Sequence, residues 1–101
     1  MEREDYVESV LRIVEQVPEG RVTTYGAIAD LVGVGGPRQV GQVMAEHGGS
    51  VPWWRVVRAD GTLPGSHVAE AMQAYHAEGT PLRPSGRVDL PAAFVAVQPP
   101  E

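Results

Sequence analysis

Residues 23 to 44 read TTYGAIADLVGVGGPRQVGQVM, and the fold turns on how this stretch divides. Ala27, Ile28 and Leu31 recur at helical spacing, Thr23 or Thr24 can serve as the N-cap, and Gly33 suits the left-handed position that ends a helix. After the flexible GVGG, Pro37 stands where a first helical turn tolerates proline, and Val40, Val43 and Met44 share one face until Gly48 and Gly49. Two short helices joined by a glycine-containing turn fit a helix-turn-helix, whose second member enters a DNA groove. Many α-helical hairpins share this spacing without touching DNA, so the pattern alone leaves the role open.

Outward toward the N-terminus, Val7, Val10, Leu11, Val14 and Val17 form one stripe of a helix expected from about Asp5 to Val17, ended by Pro18 and Gly20. Toward the C-terminus, WRVVRADGTL carries β-branched residues into an Asp-Gly turn, which predicts a short hairpin or wing. Ser66 is placed to cap a last helix running to about Glu78, with Val68, Ala71, Met72 and Tyr75 inward and Gly79 as terminator. From about Thr80 the tail is proline-rich, with an extended pair expected around Arg87 to Leu90 and Phe94 to Val97 and fraying beyond. There are no repeats. The expectation is one domain over residues 1–101, mainly α with a short β-hairpin or wing, of the winged helix-turn-helix kind.

A chain of 101 residues with 43% hydrophobic content supports one modest core. No apolar run approaches the roughly 20 residues that cross a bilayer, and the acidic start MEREDYVES lacks the order of a signal peptide, so no membrane partner and a cytoplasmic location are expected. The chain has no cysteine, hence no disulfide and no thiolate, and His47, His67 and His76 are not at metal-ligand spacing; neither metal nor cofactor is expected. The net charge of -5 argues at first against nucleic acid. Its distribution is uneven, however. Residues 1 to 19 hold six acids against two arginines, whereas residues 20 to 60 hold four arginines against three acids. Those four, Arg21, Arg38, Arg55 and Arg58, form either one cationic face or unrelated surface positions.

VTTYGAIADLVG (22–33), PRQVGQVM (37–44) and VPWWRVVRADGTL (51–63) resemble, in order and at close to the right intervals, the DNA-binding domain of O6-alkylguanine-DNA alkyltransferases. That family's active-site motif reads Pro-Cys-His-Arg-Val. Here Trp53 stands at the cysteine position, a replacement that marks the non-catalytic alkyltransferase-like proteins, which usually read Pro-Trp-His-Arg. The resemblance covers about residues 5 to 82, and a short tail is also typical of that group.

The resemblance implies a role for each matching residue. Tyr25 lies where an aromatic ring crowds the DNA backbone and helps rotate a nucleotide out of the duplex; on its own it also reads as a tyrosine packed beside the second helix. Arg38 matches the arginine that fills the hole left in the base stack. A plain solvated arginine is the alternative, but cations are disfavoured at a helix N-terminus, and a phosphate or base would compensate. Gly41 matches a small residue that lets the helix approach the DNA backbone, and close helix packing would explain it equally well. Thr24, Pro37, Gln39 and Gln42 join them on the expected DNA side.

Alkyl transfer requires a soft nucleophile in line with the alkyl carbon, and an indole offers none. The implied pocket therefore binds without reacting. An indole wall supplies apolar contact to an alkyl group, and stacking on an aromatic contributes about 1 to 3 kcal/mol per base. Flipping costs a few kcal/mol and less for a weakened pair, which favours alkylated guanine before any contact is made to it. Trp54 replaces the family's histidine, a proton carrier with no function once the thiol is gone; it either packs beneath the site or touches the lesion. Arg55 resembles the structural arginine that holds the loop, with Pro52 beside it, and the carbonyls of Trp53 and Val56 would accept from the guanine amine. His47 lies near the position of an asparagine that braces the helix-turn-helix against the site. Leu63, Pro64, Gly65, Ser66 and His67 form the pocket-closing loop.

The expected function is a monomeric sensor that flips O6-alkylguanine out of double-stranded DNA and flags it for nucleotide excision repair proteins of the UvrA type, without catalysis. Two alternatives stand beside it. One is a winged-helix regulator reading undamaged DNA, disfavoured by a third helix that offers only Arg38, Gln39 and Gln42 to bases, with Glu46 repelling phosphate. The other is a protein-interaction module that has lost DNA binding, suggested by the net negative charge.

Overall fold

The computed structural model describes residues 1–98. Helix α1 spans Arg3–Glu15, shifted two residues toward the N-terminus of the expected span; it buries Val10 and Val14 of the predicted stripe together with Ile13, which the stripe did not include. A short strand β1, Thr23–Thr24, leads directly into α2, Tyr25–Val32. Thr24 is the N-cap: its Oγ1 accepts from the Ala27 N–H at 3.0 Å. Gly33, at φ 87°, ends α2 and donates its N–H to the Ala29 carbonyl. Helix α3, Pro37–His47, opens with proline in its first turn, and the Gln39 Oε1 accepts the Gly36 N–H at 2.9 Å.

One core cluster joins the three helices through Val10, Ile13, Val14, Ile28, Ala29, Val40 and Val43, and extends to Val51 and Val56. Strand β2, Val56–Val57, pairs in parallel with β1, in the register Thr23 with Val56 and Thr24 with Val57. Side chains alternate across a strand, so Val56 enters this core while Val57 faces a second one. The second core gathers Val22, Val57, Ala71, Tyr75, Val88 and Ala93 beneath helix α4, Val68–Glu78.

The Asp-Gly turn forms as predicted, but the ladder does not run across it. The Arg58 N–H meets the Thr62 carbonyl at 2.8 Å, and Asp60 accepts from both the N–H and the hydroxyl of Thr62, giving a tight wing whose strand partner is β1. Gly61 is required there: at φ 84° a Cβ would lie 2.3 Å from the Val88 carbonyl oxygen. Ser66 does not cap α4. His67 occupies the N-cap position without a capping side-chain bond, and Val68, expected inward, is 49% exposed because it begins the first turn beside the open loop.

The tail also departs from expectation. Leu82 bridges Val88 in a small antiparallel turn, Leu90–Ala93 forms a one-turn helix α5, and Phe94 bridges Val22, so the proposed pairing of 87–90 with 94–97 is absent. The competing partners win because Val22 and Gly61 present free backbone groups: the Val88 N–H reaches Gly61, and the Val95 N–H reaches Val22, each at 3.0 Å. The expected fraying at the very end falls largely on residues 99–101, outside the described residues. Among the described residues no helix is long and apolar enough to cross a membrane.

Candidate nucleic-acid interface

The two tryptophans begin a single 3₁₀ turn, Trp53–Arg55, and their rings meet edge to face with centroids 5.6 Å apart. Adjacent residues on so tight a turn point in different directions, so the rings serve different surroundings. Trp54 is turned toward α4, where its Nε1 donates to both oxygens of Glu78 at 3.1 and 3.0 Å. Arg55 reaches the same carboxylate through Nε at 2.8 Å and through Nη2, and donates Nη1 to the Val17 carbonyl at 2.9 Å. Its guanidinium also lies 5.7 Å from the Trp54 ring centroid. The Tyr75 hydroxyl donates to the Trp54 carbonyl at 2.6 Å.

Glu78 is thus the anchor of the loop. Burial alone pushes its pKa up, but hydrogen bonds from Arg55 and Trp54, the Arg55 charge and the Gly20 N–H outweigh burial and hold the carboxyl below its ordinary range. For Tyr75, burial first, then Tyr25 and Glu78, raise the phenol pKa, so it stays a neutral donor. Sequence reading missed Glu78. The available signal was its position: an acid in the last turn of a helix faces the negative end of the dipole and needs a cation nearby.

Trp53 faces a cavity of about 680 Å³, within the range of small-ligand sites. Tyr25 of α2, with Gly41 and Met44 of α3, forms one side; the loop Leu63, Pro64, Gly65, Ser66 and His67 forms the other, with Glu70 of α4 beyond it. Seven of the residues expected to line a pocket are therefore brought together. Trp54 and Val56 are not among the lining: Trp54 is held on Glu78 behind the loop, and Val56 is fully buried in the helical core because β2 pairing turns it inward. Met44, Ala45, Gly48 and Gly49 line the cavity without having been anticipated, since α3 runs along its wall to the glycine turn, and Glu70 of α4 joins them.

A second, shallower recess of about 390 Å³ adjoins the first and shares Tyr25, Gly41 and Pro64 with it. Thr24, Gly26, Pro37, Arg38, Arg58 and Ala59 complete its rim. Burial raises the Tyr25 pKa, against an opposing pull from the Arg58 charge, so the phenol between the two recesses is neutral. A Cβ on Gly41 would meet nothing within 4 Å, which removes helix packing as the reason for glycine there and leaves an open surface over two cavities.

The other predicted DNA-side residues divide. Gln39 and Gln42 line a groove of about 310 Å³ with Met1, Arg3 and Tyr6, away from Arg38, because the helical repeat carries them round α3. His47 is exposed at the end of α3 and makes no side-chain hydrogen bond among the described residues; the loop is braced by Arg55 and Glu78 instead, while the half-buried Pro52 accepts the Arg55 N–H at 3.0 Å. The four-arginine face does not form. Arg55 is internal, and Arg21 donates to the Ala92 carbonyl at 2.6 Å, leaving Arg38 and Arg58 together.

Comparison with known proteins identifies a family. Residues 5–80 match the family model of the 6-O-methylguanine DNA methyltransferase, DNA binding domain. A protein of Escherichia coli (strain K12) named DNA base-flipping protein is 44% identical over 96 residues, covering 89% of this chain and 74% of that protein. Alkyltransferase-like protein 1 of Schizosaccharomyces pombe is 41% identical over 66 residues, covering 62% of this chain and 61% of that protein. The crystal structure of S. pombe Atl1 in complex with damaged DNA containing O6-carboxymethylguanine superposes with a TM-score of 0.81 at 29% identity, over 94% of this chain and 98% of that one. The chain therefore belongs to the alkyltransferase-like proteins, relatives of the 6-O-methylguanine DNA methyltransferase DNA-binding domain.

Proposed function

We propose that this protein binds double-stranded DNA containing O6-alkylguanine, rotates the damaged base into the Trp53 cavity, and holds it there without alkyl transfer. The carrying observation is the continuity of two recesses through Tyr25 and Gly41: one lined by an indole, the other rimmed by Arg38 and Arg58, which form no ion pair among the described residues. Two arginines beside an open helix surface suit a phosphate backbone, and Arg38 at the start of α3 suits the gap left in the stack. A chain without cysteine has no thiolate to accept an alkyl group. The names of the relatives, a base-flipping protein and one solved on damaged DNA, support the same reading. A base held in a pocket is not repaired by being held, so a monomer of this protein requires a partner, for which nucleotide excision repair proteins are the natural class.

The test is a titration of matched duplexes containing guanine or O6-methylguanine, followed by tryptophan fluorescence. Wild type is expected to prefer the lesion and to quench with it. Trp53→Ala should lose about 1 to 3 kcal/mol of lesion binding, the range for one base stacked on an aromatic, while Arg38→Ala weakens both duplexes. Equal affinity for the two duplexes, with no lesion-dependent quenching in wild type, would sink the proposal.

A further inference from the structure

We propose that Glu70 makes the Trp53 cavity discriminate by charge, admitting uncharged O6 substituents on guanine in preference to anionic ones. This inference rests on the base-binding reading above and adds a specificity-determining residue to it. Glu70 contributes the one carboxylate among the described residues lining this cavity, and no lysine or arginine lines it; Arg38 and Arg58 stand in the neighbouring recess. The carboxylate has one side-chain partner among the described residues. It accepts from the His67 Nδ1 at 3.1 Å, and the His67 ring in turn lies 6.0 Å from the Trp53 ring at an interplanar angle of 62°. Because an ionised carboxylate only accepts, the Nδ1 carries the proton of this contact.

A base resting on Trp53 therefore has the His67–Glu70 pair as its adjoining wall. A methyl or longer alkyl group meets Leu63, Met44 and the Trp53 ring there at no electrostatic cost. A substituent ending in a carboxylate meets the Glu70 carboxylate, and among the described residues no lysine or arginine lines the cavity to compensate. A carboxamide of the same shape escapes the repulsion and can donate its N–H to Glu70. The Glu70 side chain is 67% exposed in the free protein, so the effect is of surface-charge size and sensitive to salt.

The experiment compares duplexes carrying O6-carboxymethylguanine with otherwise identical duplexes carrying its amide, O6-carbamoylmethylguanine, at low ionic strength. Wild type should bind the amide about fivefold more tightly, the upper end for a solvent-exposed charge pair. Glu70→Gln should bring the ratio near one, and Glu70→Lys should invert it; both side chains sit in open surface, so the variants fold. A wild-type ratio near one, or a ratio unchanged in Glu70→Gln, overturns the inference. O6-methylguanine against guanine, measured with the same three proteins, separates the two levels. If wild type prefers the methylated base but shows no charge ratio, only the selectivity falls; if it shows no such preference, the base-binding reading falls and the inference with it.

Discussion

Replacing Glu78 by glutamine tests whether one carboxylate holds the recognition loop. Glu78 and Arg55 side chains are 9% and 14% exposed, and the carboxylate accepts from Arg55 and from the Trp54 indole. Glutamine keeps the shape and one acceptor oxygen but loses the charge and the second acceptor, leaving the Arg55 guanidinium with the Val17 carbonyl as its main remaining partner. Removing one member of a buried pair costs about 3 to 5 kcal/mol, and the retained amide oxygen lowers this to about 2 to 3 kcal/mol. For a domain of this size that is a fall in Tm of roughly 10 to 20 °C.

The sign with pH follows from the depressed pKa. Glu78 contributes its stability fully above its ordinary value of 4.5 and loses it as pH falls through its lower native value. The gap between wild type and Glu78→Gln should therefore be widest near neutrality and close on acidification below about pH 4.5. Thermal unfolding followed by tryptophan fluorescence reads both effects. Glu46→Gln is the control: its partner Arg3 is 58% exposed, and such a pair contributes at most about 1 kcal/mol. A Glu78→Gln protein whose Tm lies within about 4 °C of wild type, or a gap that does not change with pH, would refute the anchoring role.

Two glycines give further predictions of opposite sign. Gly41→Ala should raise stability by about 0.5 to 1 kcal/mol, since alanine is the better helix former and its Cβ meets nothing within 4 Å, yet weaken DNA binding; thermal unfolding and a duplex titration measure the two separately. Stabilisation with unchanged affinity would show that DNA does not approach this face. Gly61→Ala should destabilise by about 2 to 4 kcal/mol, because φ 84° and the Val88 carbonyl 2.3 Å from the new Cβ force the wing off the tail. In urea this appears as a lower midpoint at nearly constant slope, and an unchanged midpoint would mean the wing and tail do not depend on each other.

Local features of the chain determined the helical half. Valines at three and four residues, the Thr24 cap, Gly33 and Pro37 specify α1, α2 and α3 through interactions within a turn or two, so their limits could be placed to within about two residues. Long-range pairing was not legible. β2 chose β1 over a partner across the Asp-Gly turn, and Val22 and Gly61 captured the tail, because several stretches of similar β propensity compete and only packing selects among them. The division of the arginines likewise came from tertiary structure. Arg38 and Arg58 were left on the recess while Arg55 was drawn inside by Glu78, a residue 23 positions away whose helix-end position calls for a cation but does not say which one. Tertiary structure also separated the adjacent tryptophans: a three-residue turn aims Trp53 into the cavity and Trp54 onto Glu78, and two neighbouring letters of the same kind carry no sign of which way each will face.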